Sequence, residues 1–319
     1  MMQYLPAWAR PDPTMLGYLL RRGQTLRGAI WQQGGRVFRL LVALGIAGCS
    51  AAVYLDNSEA KRLGTYPTSV FSLMYAVLIF LQFSTWVGAF VTTSEQFARD
   101  LRHDDWELVW ITMAGTRLLV RAHWAAVFWR GRLMILTIML PRLVWAGLFL
   151  VDLTGVWGFH PGFDTMEPAV PTGIGILLVL INLAAALIEP LVLIGLSAAL
   201  GVYVSALIQH RWAALLARII IFIIALFFFC RVSWIGFTAM DQIGPSVAAP
   251  AMGRQQGLLL MTLFGDHGLW MVDPRLAVQL WHQIDGSLWF GLPLLLLLGC
   301  EIILMRTLLC HAASYAEYL

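Results

Sequence analysis

The fold of this chain is decided by the apolar run IGILLVLINLAAALIEPLVLIGLSAALGVYVSALI, residues 174–208. A helix needs about 20 apolar residues to cross a bilayer core, and this run provides roughly 35, or about 50 Å of helix. Pro190 lies near its centre and would clash with the carbonyl of Ala186, which predicts a kinked or protruding helix. The alternative is a division into two short spans, which would invert the orientation of all that follows.

The composition of the whole chain agrees with this run. Of 319 residues, 60% are hydrophobic and only 12% are charged, which leaves too little polar surface for a water-soluble globule. The sequence therefore predicts an all-α integral membrane protein. We predict six transmembrane helices, at about 37–55, 70–93, 133–151, 174–208, 213–238 and 288–309.

The distribution of Lys and Arg predicts the orientation, because cytoplasmic segments carry an excess of positive charge. With the N-terminus inside, fifteen of the 21 basic residues fall on the cytoplasmic side and four on the outer side. A seventh span would move Arg211 and Arg218 outside, which this bias disfavours. We expect a multi-pass protein of the bacterial inner (cytoplasmic) membrane, with both termini and the tail 310–319 in the cytoplasm.

Three segments between or before the spans stand out. The leader 1–36 includes TMLGYLLRRGQTLRGAIWQQ, with apolar residues on one helical face and Arg on another, so we expect it to lie along the inner membrane surface. A long cytoplasmic loop, 94–132, joins spans two and three. An outer loop, 241–287, is punctuated by Gly and Pro, and we interpret it as a partly re-entrant cap over the bundle.

Motifs for catalysis are absent from the sequence. It has no G-x-x-x-x-G-K-[ST] loop for nucleotide phosphates, and no C-x-x-C, H-E-x-x-H or G-x-S-x-G. Its seven histidines include no pair placed within spans for haem ligation. We therefore predict a protein that is not itself an enzyme and that holds no cofactor or metal. The absence of a uniformly basic face argues against nucleic acid as a partner.

Four ionisable residues fall within the predicted spans: Arg142, Glu189, Arg231 and Glu301. Charges at this depth are costly and are usually paired or face water. Counted from the inner end of each span, Arg142 and Glu301 lie about 15 and 12 Å deep, and Arg231 and Glu189 about 27 and 30 Å. These depths predict the pairs Arg142–Glu301 and Glu189–Arg231. They are either structural ion pairs and snorkelling side chains, or the lining of a substrate path. A membrane-embedded enzyme using Glu189 or Glu301 is a further alternative.

The cytoplasmic loop carries the most informative stretch, SEQFARDLRHDDWELVWITMAGTRLLVRAHW, residues 94–124. Glu95 follows the second span, and an amphipathic segment comes after it. This arrangement resembles the permease subunits of type-two ABC exporters, in which an acidic residue, a "tWelLllTPls" helix and an "eivlgKl" run occur in this order. The matching positions are Trp106, Glu107, Leu108, Val109, Ile111, Thr112, Leu118, Leu119, Val120 and His123.

The resemblance implies a role for this loop as a coupling helix that docks on a separate ATP-binding ATPase subunit. It also implies a second permease chain, identical or different, in the same bilayer. The residues expected to contact the ATPase are Glu95, Asp104, Asp105, Trp106, Glu107, Leu108, Thr112 and Arg117. Two alternatives stay open: an interfacial helix that rests on lipid headgroups, and a non-catalytic, permease-derived subunit that scaffolds a larger respiratory or photosynthetic complex.

Overall fold

The computed structural model describes residues 68–102, 115–153, 172–208, 210, 212–214, 216–224, 227 and 291–317. This part of the chain is almost entirely helical and has no strand, which confirms the all-α class for it. The helices of this part are α1 Thr68–Arg102, α2 Gly115–Arg130, α3 Arg132–Leu153, α4 Thr172–Leu207, α5 Trp212–Ile224 and α6 Gly291–Glu317. The leader, the predicted span 37–55 and the outer loop 241–287 lie outside the described residues.

Helix α4 lies at the centre of the described bundle, where it packs against both α1 and α6. Residues 172–207 form one helix and not two, even though Pro190 lies inside it. Pro190 has no N–H to donate to the carbonyl of Ala186, but the helical turns on both sides continue. A sequence that is apolar all round is typical of a helix enclosed by other helices or by lipid.

Two helical segments of the described residues are long and apolar enough to cross a membrane. They are Leu183–Leu207 in α4 and Leu295–Glu317 in α6. Helix α5 is also apolar but shorter.

The contacts between α1, α4 and α6 show that these helices run in the same direction. Phe90 of α1 lies against Gly201 of α4, and one turn later Ser94 lies against Ser205. Residue numbers therefore increase together along α1 and α4. The same holds for α6, whose contacts with α4 pair Met305 with Gly195 and Tyr315 with Tyr203.

Helices α2 and α3 run in the opposite direction to α1. His123 of α2 contacts Asp100 near the end of α1, and Arg142 of α3 contacts Gln82, further back in α1. Helix α5 is also antiparallel to α1, because Arg218 contacts Ser94 whereas the ring of Phe222 lies 6.3 Å from that of Phe83. Consecutive described helices therefore run in opposite directions, except for α2 and α3, which only Gly131 separates.

Helices α2 and α3 follow one another with a single residue, Gly131, between them. The N–H of Gly131 donates to the carbonyl of Val127 at 2.7 Å, and the N–H of Ile135 donates to the carbonyl of Gly131 at 2.9 Å. Both are i to i−4 bonds of the α-helical kind, and they join α2 to α3 at Gly131.

Small residues allow the helices to approach closely. A Cβ atom placed on Gly201 would lie 2.5 Å from the carbonyl oxygen of Phe90 and 2.5 Å from Oγ1 of Thr93, so only glycine fits at this crossing of α1 and α4. Alanines also occur in the core on both α4 and α6. The core includes Ala198, Ala199 and Ala206 of α4 and Ala312, Ala313 and Ala316 of α6. Interfaces of this kind are typical of helices packed in a bilayer.

Candidate functional site

Polar side chains gather at one end of the described bundle, which we call the polar end. It comprises the last turns of α1, α4 and α6, most of α2, and the first turns of α5. Because α1 and α4 end here while α2 and α5 begin here, the chain connections 103–114 and 208–211 also join the bundle at this end. The members discussed below are Ser94, Glu95, Gln96, Asp100, Thr116, Arg117, His123, Arg130, Ser205, Arg218 and Glu317.

Six of the residues predicted to contact an ATPase lie outside the described residues: Asp104, Asp105, Trp106, Glu107, Leu108 and Thr112. Glu95 and Arg117 are described, and their side chains are 57% and 73% exposed. Glu95 Oε1 lies 3.9 Å from Arg218 Nη1, and Arg117 Nε lies 3.9 Å from Glu317 Oε1. Exposed pairs at this distance contribute little to stability, so both charges are accessible to a partner.

Ser94, Ser205 and Arg218 tie α1, α4 and α5 together. The two serine hydroxyls are buried and lie 2.8 Å apart. Ser205 Oγ lies 2.8 Å from the carbonyl oxygen of Ser94 and 2.9 Å from that of Gly201. Arg218 donates from Nε to Ser94 Oγ at 2.6 Å and from Nη2 to the Ser94 carbonyl at 3.2 Å. A guanidinium that donates to two acceptors of one residue fixes the angle of α5 against α1.

His123 and Asp100 connect α2 to α1. His123 Nε2 lies 2.9 Å from Asp100 Oδ2, and the two side chains are 2% and 18% exposed. On its other side, His123 Nδ1 lies 3.0 Å from the carbonyl oxygen of Leu119. The ring of Phe97 packs edge-on against the imidazole, with centroids 5.2 Å apart.

A second connection between the same two helices lies two turns further along α2. Arg130 donates a hydrogen bond to Gln96 Oε1. Burial lowers the pKa of Arg130 from its usual value, and the negative charge of Asp100 opposes that shift. Asp100 therefore faces two residues of α2, His123 and the cationic Arg130.

Helix α2 is also held by α6 and α4. Thr116 donates a hydrogen bond of 2.8 Å to Glu317 Oε1, and Trp124 donates from Nε1 to the carbonyl of Gly195 at 2.9 Å. Around these contacts, the α2 residues Leu119, Val120, Ala122, Ala125, Ala126 and Val127 are buried. The second half of the predicted coupling loop is therefore an integral part of the bundle, packed on three other helices.

The ionisable residues inside the predicted spans are partly described. Arg142 is buried and donates to Gln82 Oε1, and Glu189 is buried in α4. Oε2 of Glu301 is buried and accepts no hydrogen bond within the part of the chain that the structure describes. Arg231 lies outside the described residues. The pairs Arg142–Glu301 and Glu189–Arg231 stay predictions.

Sequence reasoning did not identify Ser94, Asp100, Ser205 or Glu317 as members of a site. Each contacts a residue at least 23 positions away in the chain, so a local pattern does not reveal it. The only local signal is Ser205, a hydroxyl within an apolar run. Arg218 was used only as a marker of orientation.

The polar end consists of side chains that connect the described helices to one another. Its polar groups bond to one another across helices, and no group of three or more His, Cys, Asp or Glu among the described residues could hold a metal ion. Comparison with models of protein families, with curated proteins and with solved structures gave no match to this chain. The functional argument therefore depends on the geometry and the sequence of the chain itself.

Proposed function

We propose that this chain is the membrane-spanning permease subunit of an ABC-type exporter in a bacterial inner membrane. It would work with a second permease chain and with separate ATPase subunits that bind to residues 103–114. ATP hydrolysis by these subunits would drive a substrate outward. This proposal rests on one observation: both helices that flank residues 103–114 are bonded into the bundle.

The physical requirement for such a subunit is that a push on a cytoplasmic segment moves the spans and not only the segment. Helix α1 reaches residues 103–114 as a direct extension of a predicted span, and its Asp100 is bonded to α2. Helix α2 leaves that segment and bonds to α4 through Trp124 and to α6 through Thr116. A force applied at residues 103–114 would therefore reach four helices as a rigid-body displacement.

Two further observations support the membrane part of the proposal. Helices α4 and α6 contain segments long and apolar enough to cross a membrane. The alternating directions of α1, α3, α4 and α5, and the common direction of α1, α4 and α6, are compatible with six spans whose two termini lie on the same side. The exposed charges of Glu95 and Arg117 would lie beside the docked ATPase at the cytoplasmic face.

The proposal is tested by purifying the full-length chain, expressed at native level, in a mild detergent. We expect an ATPase subunit with a phosphate-binding loop to copurify with the wild-type chain, and Trp106→Ala combined with Glu107→Ala to abolish its recovery. Size-exclusion chromatography of the variant alone should show a folded species that elutes as the wild-type chain does.

The matched control is Trp129→Ala combined with Arg132→Ala, which removes a tryptophan and a charged residue that are both exposed. These positions lie near Gly131, at the opposite end of α2 from Gly115, so ATPase recovery should stay at the wild-type level. Recovery of a stable complex without any ATPase would contradict the proposal and would favour a scaffold subunit of a larger membrane assembly.

A further inference from the structure

Helix α6 has an exposed side whose chemistry changes along its length. Its packed side is apolar throughout, with Leu298, Met305, Leu309, Ala312, Ala313 and Ala316 in the core. The exposed side chains before Met305 are aliphatic, apart from one thiol: Leu295, Leu296, Cys300, Ile302, Ile303 and Leu304. Those after Met305 are mostly polar: Arg306, Thr307, Cys310, His311, Ser314, Tyr315 and Glu317. An average over the whole helix hides this change, because the packed side stays apolar.

The change at Met305 fits a change from hydrocarbon to water around the exposed side of α6. Charged side chains exposed to hydrocarbon are costly, whereas exposed Leu and Ile are favoured there. Before Met305 the one charged residue of α6 is Glu301, and its Oε2 is buried. Lipid therefore fits the exposed side of residues 295–304, and water fits the exposed side of residues 306–317.

Other described helices change their exposed side chains at the same end of the bundle. Among its described side chains, α1 exposes only polar ones, all near its end: Thr92, Glu95 and Arg99. Helix α3 exposes Arg132 at its start and then Leu136 and Leu143. Helix α5 exposes apolar side chains from its first residue on, including Trp212 and Leu216. The boundary between water and hydrocarbon therefore lies near the starts of α3 and α5 and before the ends of α1 and α6.

Helix α4 has an exposed apolar face only in its first half. That face consists of Leu177, Leu180, Ala184 and Ile188, which lie on one side of the helix. From residue 189 to residue 206 no side chain of α4 is exposed, and α1, α2 and α6 all pack against this helix. The apolar sequence of the second half is thus explained by enclosure within protein and does not require lipid.

We propose that the membrane surface at the polar end crosses α1 at Thr92 and α6 between Leu304 and Arg306. The last turns of both helices then stand in water, and α2 packs against both of them. We call this part of the bundle, residues 92–102, 115–130 and 306–317, the stem. At 1.5 Å per residue the stem is about 15 Å long along α1 and about 16 Å along α6, so the two helices give the same height.

The stem determines where residues 103–114 are attached. They follow the end of α1 and precede Thr116, whose hydroxyl donates to Glu317 in the last turn of α6. Both attachment points therefore lie at the tip of the stem, away from the lipid headgroups. The stem does not depend on the proposed exporter function, which adds only that an ATPase would bind at this tip and not at the membrane surface.

The first test uses two native cysteines of α6, Cys300 and Cys310, which are both free and exposed. Full-length chains that keep only one of them, with the other three cysteines replaced by serine, are reconstituted in lipid nanodiscs. A charged methanethiosulfonate reagent labels a thiol only in water, because the thiolate is the reactive form. We expect Cys310 to be labelled fully and Cys300 to stay unlabelled. After unfolding in dodecyl sulfate both should be labelled equally, which controls for their reactivity.

The second test distinguishes lipid from a protein partner on the exposed side of α6. Spin labels are attached at Ile303→Cys or Thr307→Cys, exposed positions one turn apart on the same face, in a chain without native cysteines. Oxygen concentrates in hydrocarbon, whereas a nickel chelate stays in water. We expect the label at residue 303 to collide mainly with oxygen and the label at residue 307 mainly with the chelate. Leu136→Cys in α3 and Arg99→Cys in α1 should give the same contrast.

The proposal is overturned if Cys310 is protected as Cys300 is, because the whole of α6 would then lie in hydrocarbon. It is also overturned if Cys300 is labelled as readily as Cys310. A label at residue 303 that is shielded from both oxygen and the chelate would mean that protein, such as a second copy of this chain, covers this face, and would contradict the assignment to lipid. Neither test contains an ATPase or a nucleotide, so failure here is distinguishable from failure of the proposed function.

Discussion

Single residues at the polar end act by completing hydrogen bonds across helices. Trp124 is an example: its ring packs at 5.2 Å from that of Phe128, and its N–H reaches the backbone of Gly195 in α4. A buried indole N–H without an acceptor costs free energy, so this hydrogen bond holds α2 at one position along α4. The ring of Trp124 also fills space between the helices.

Trp124→Phe removes that N–H and keeps most of the aromatic volume. We expect the free energy of unfolding to fall by about 1–2 kcal/mol, from the lost hydrogen bond and a small cavity. Unfolding in mixed micelles of mild detergent and dodecyl sulfate measures this change. Trp129→Phe is the control: this side chain is exposed, and its replacement should have an effect within about 0.5 kcal/mol. Equal losses in the two variants would contradict the assigned role.

For Arg218, we expect the geometry of the side chain to matter more than its charge. Lysine keeps the positive charge but lacks the planar fork with which Arg218 reaches the hydroxyl and the carbonyl of Ser94 from two different nitrogens. We expect Arg218→Lys to lower the free energy of unfolding by about 1–2 kcal/mol, measured in the same micelles. Arg132→Lys, at an exposed position, should be neutral. A neutral Arg218→Lys would mean that charge alone is sufficient there.

At the level of helices, the sequence predicts the position of the apolar runs well and the ends of the helices that contain them less well. The predicted span 174–208 corresponds to α4, Thr172–Leu207, and 133–151 lies within α3, Arg132–Leu153. By contrast, α1 continues nine residues beyond the apolar run 70–93, through SEQFARDLR. The sequence could not reveal this extension because hydropathy reports on lipid contact. The extension is stabilised by packing, with Phe97 fully buried against other helices.

The site was harder to predict than the helices for a related reason. The resemblance to exporter permeases directed attention to Glu95 and Arg117, which do flank residues 103–114. It gave no indication of the bonds that hold α2 in the bundle. Such bonds join side chains from different helices, and a single sequence contains no information on which helix faces which.

Gly201 offers a test of how closely α1 and α4 must approach. In Gly201→Ala the new methyl group would meet Phe90 and Thr93 at 2.5 Å, and the helices would have to move apart. We expect a loss of about 1–3 kcal/mol in the free energy of unfolding, as for other overpacked sites. Dodecyl sulfate unfolding again provides the measurement.

Gly88→Ala is the matched control for this glycine. A Cβ atom at Gly88 meets no atom of the described helices within 4 Å, so the substitution should stabilise α1 by about 0.5–1 kcal/mol through the higher helix propensity of alanine. Opposite signs for the two glycines are the expected result. A stabilised Gly201→Ala variant would show that the crossing is not tightly packed.

For the whole molecule, the relative helix directions lead to a prediction about the two sides of the membrane. Fusions after Arg102 and after Leu207 should make green fluorescent protein fluoresce and leave alkaline phosphatase inactive, because both sites would face the cytoplasm. A fusion after Leu153 should give the reverse pattern. Each site is tested with both reporters, which controls for expression. If the fusions after Arg102 and Leu153 report the same side, the proposed topology is wrong.

The two hydrogen bonds at Gly131 have a consequence for how movement passes from one helix to the next. They join the last turn of α2 to the first turn of α3, so a displacement at the end of one helix carries the start of the other with it. Pro141 removes one backbone donor inside α3, and helices bend most readily at such a position. A displacement that begins in α2 would therefore pass through Gly131 and change the angle of α3 near Pro141.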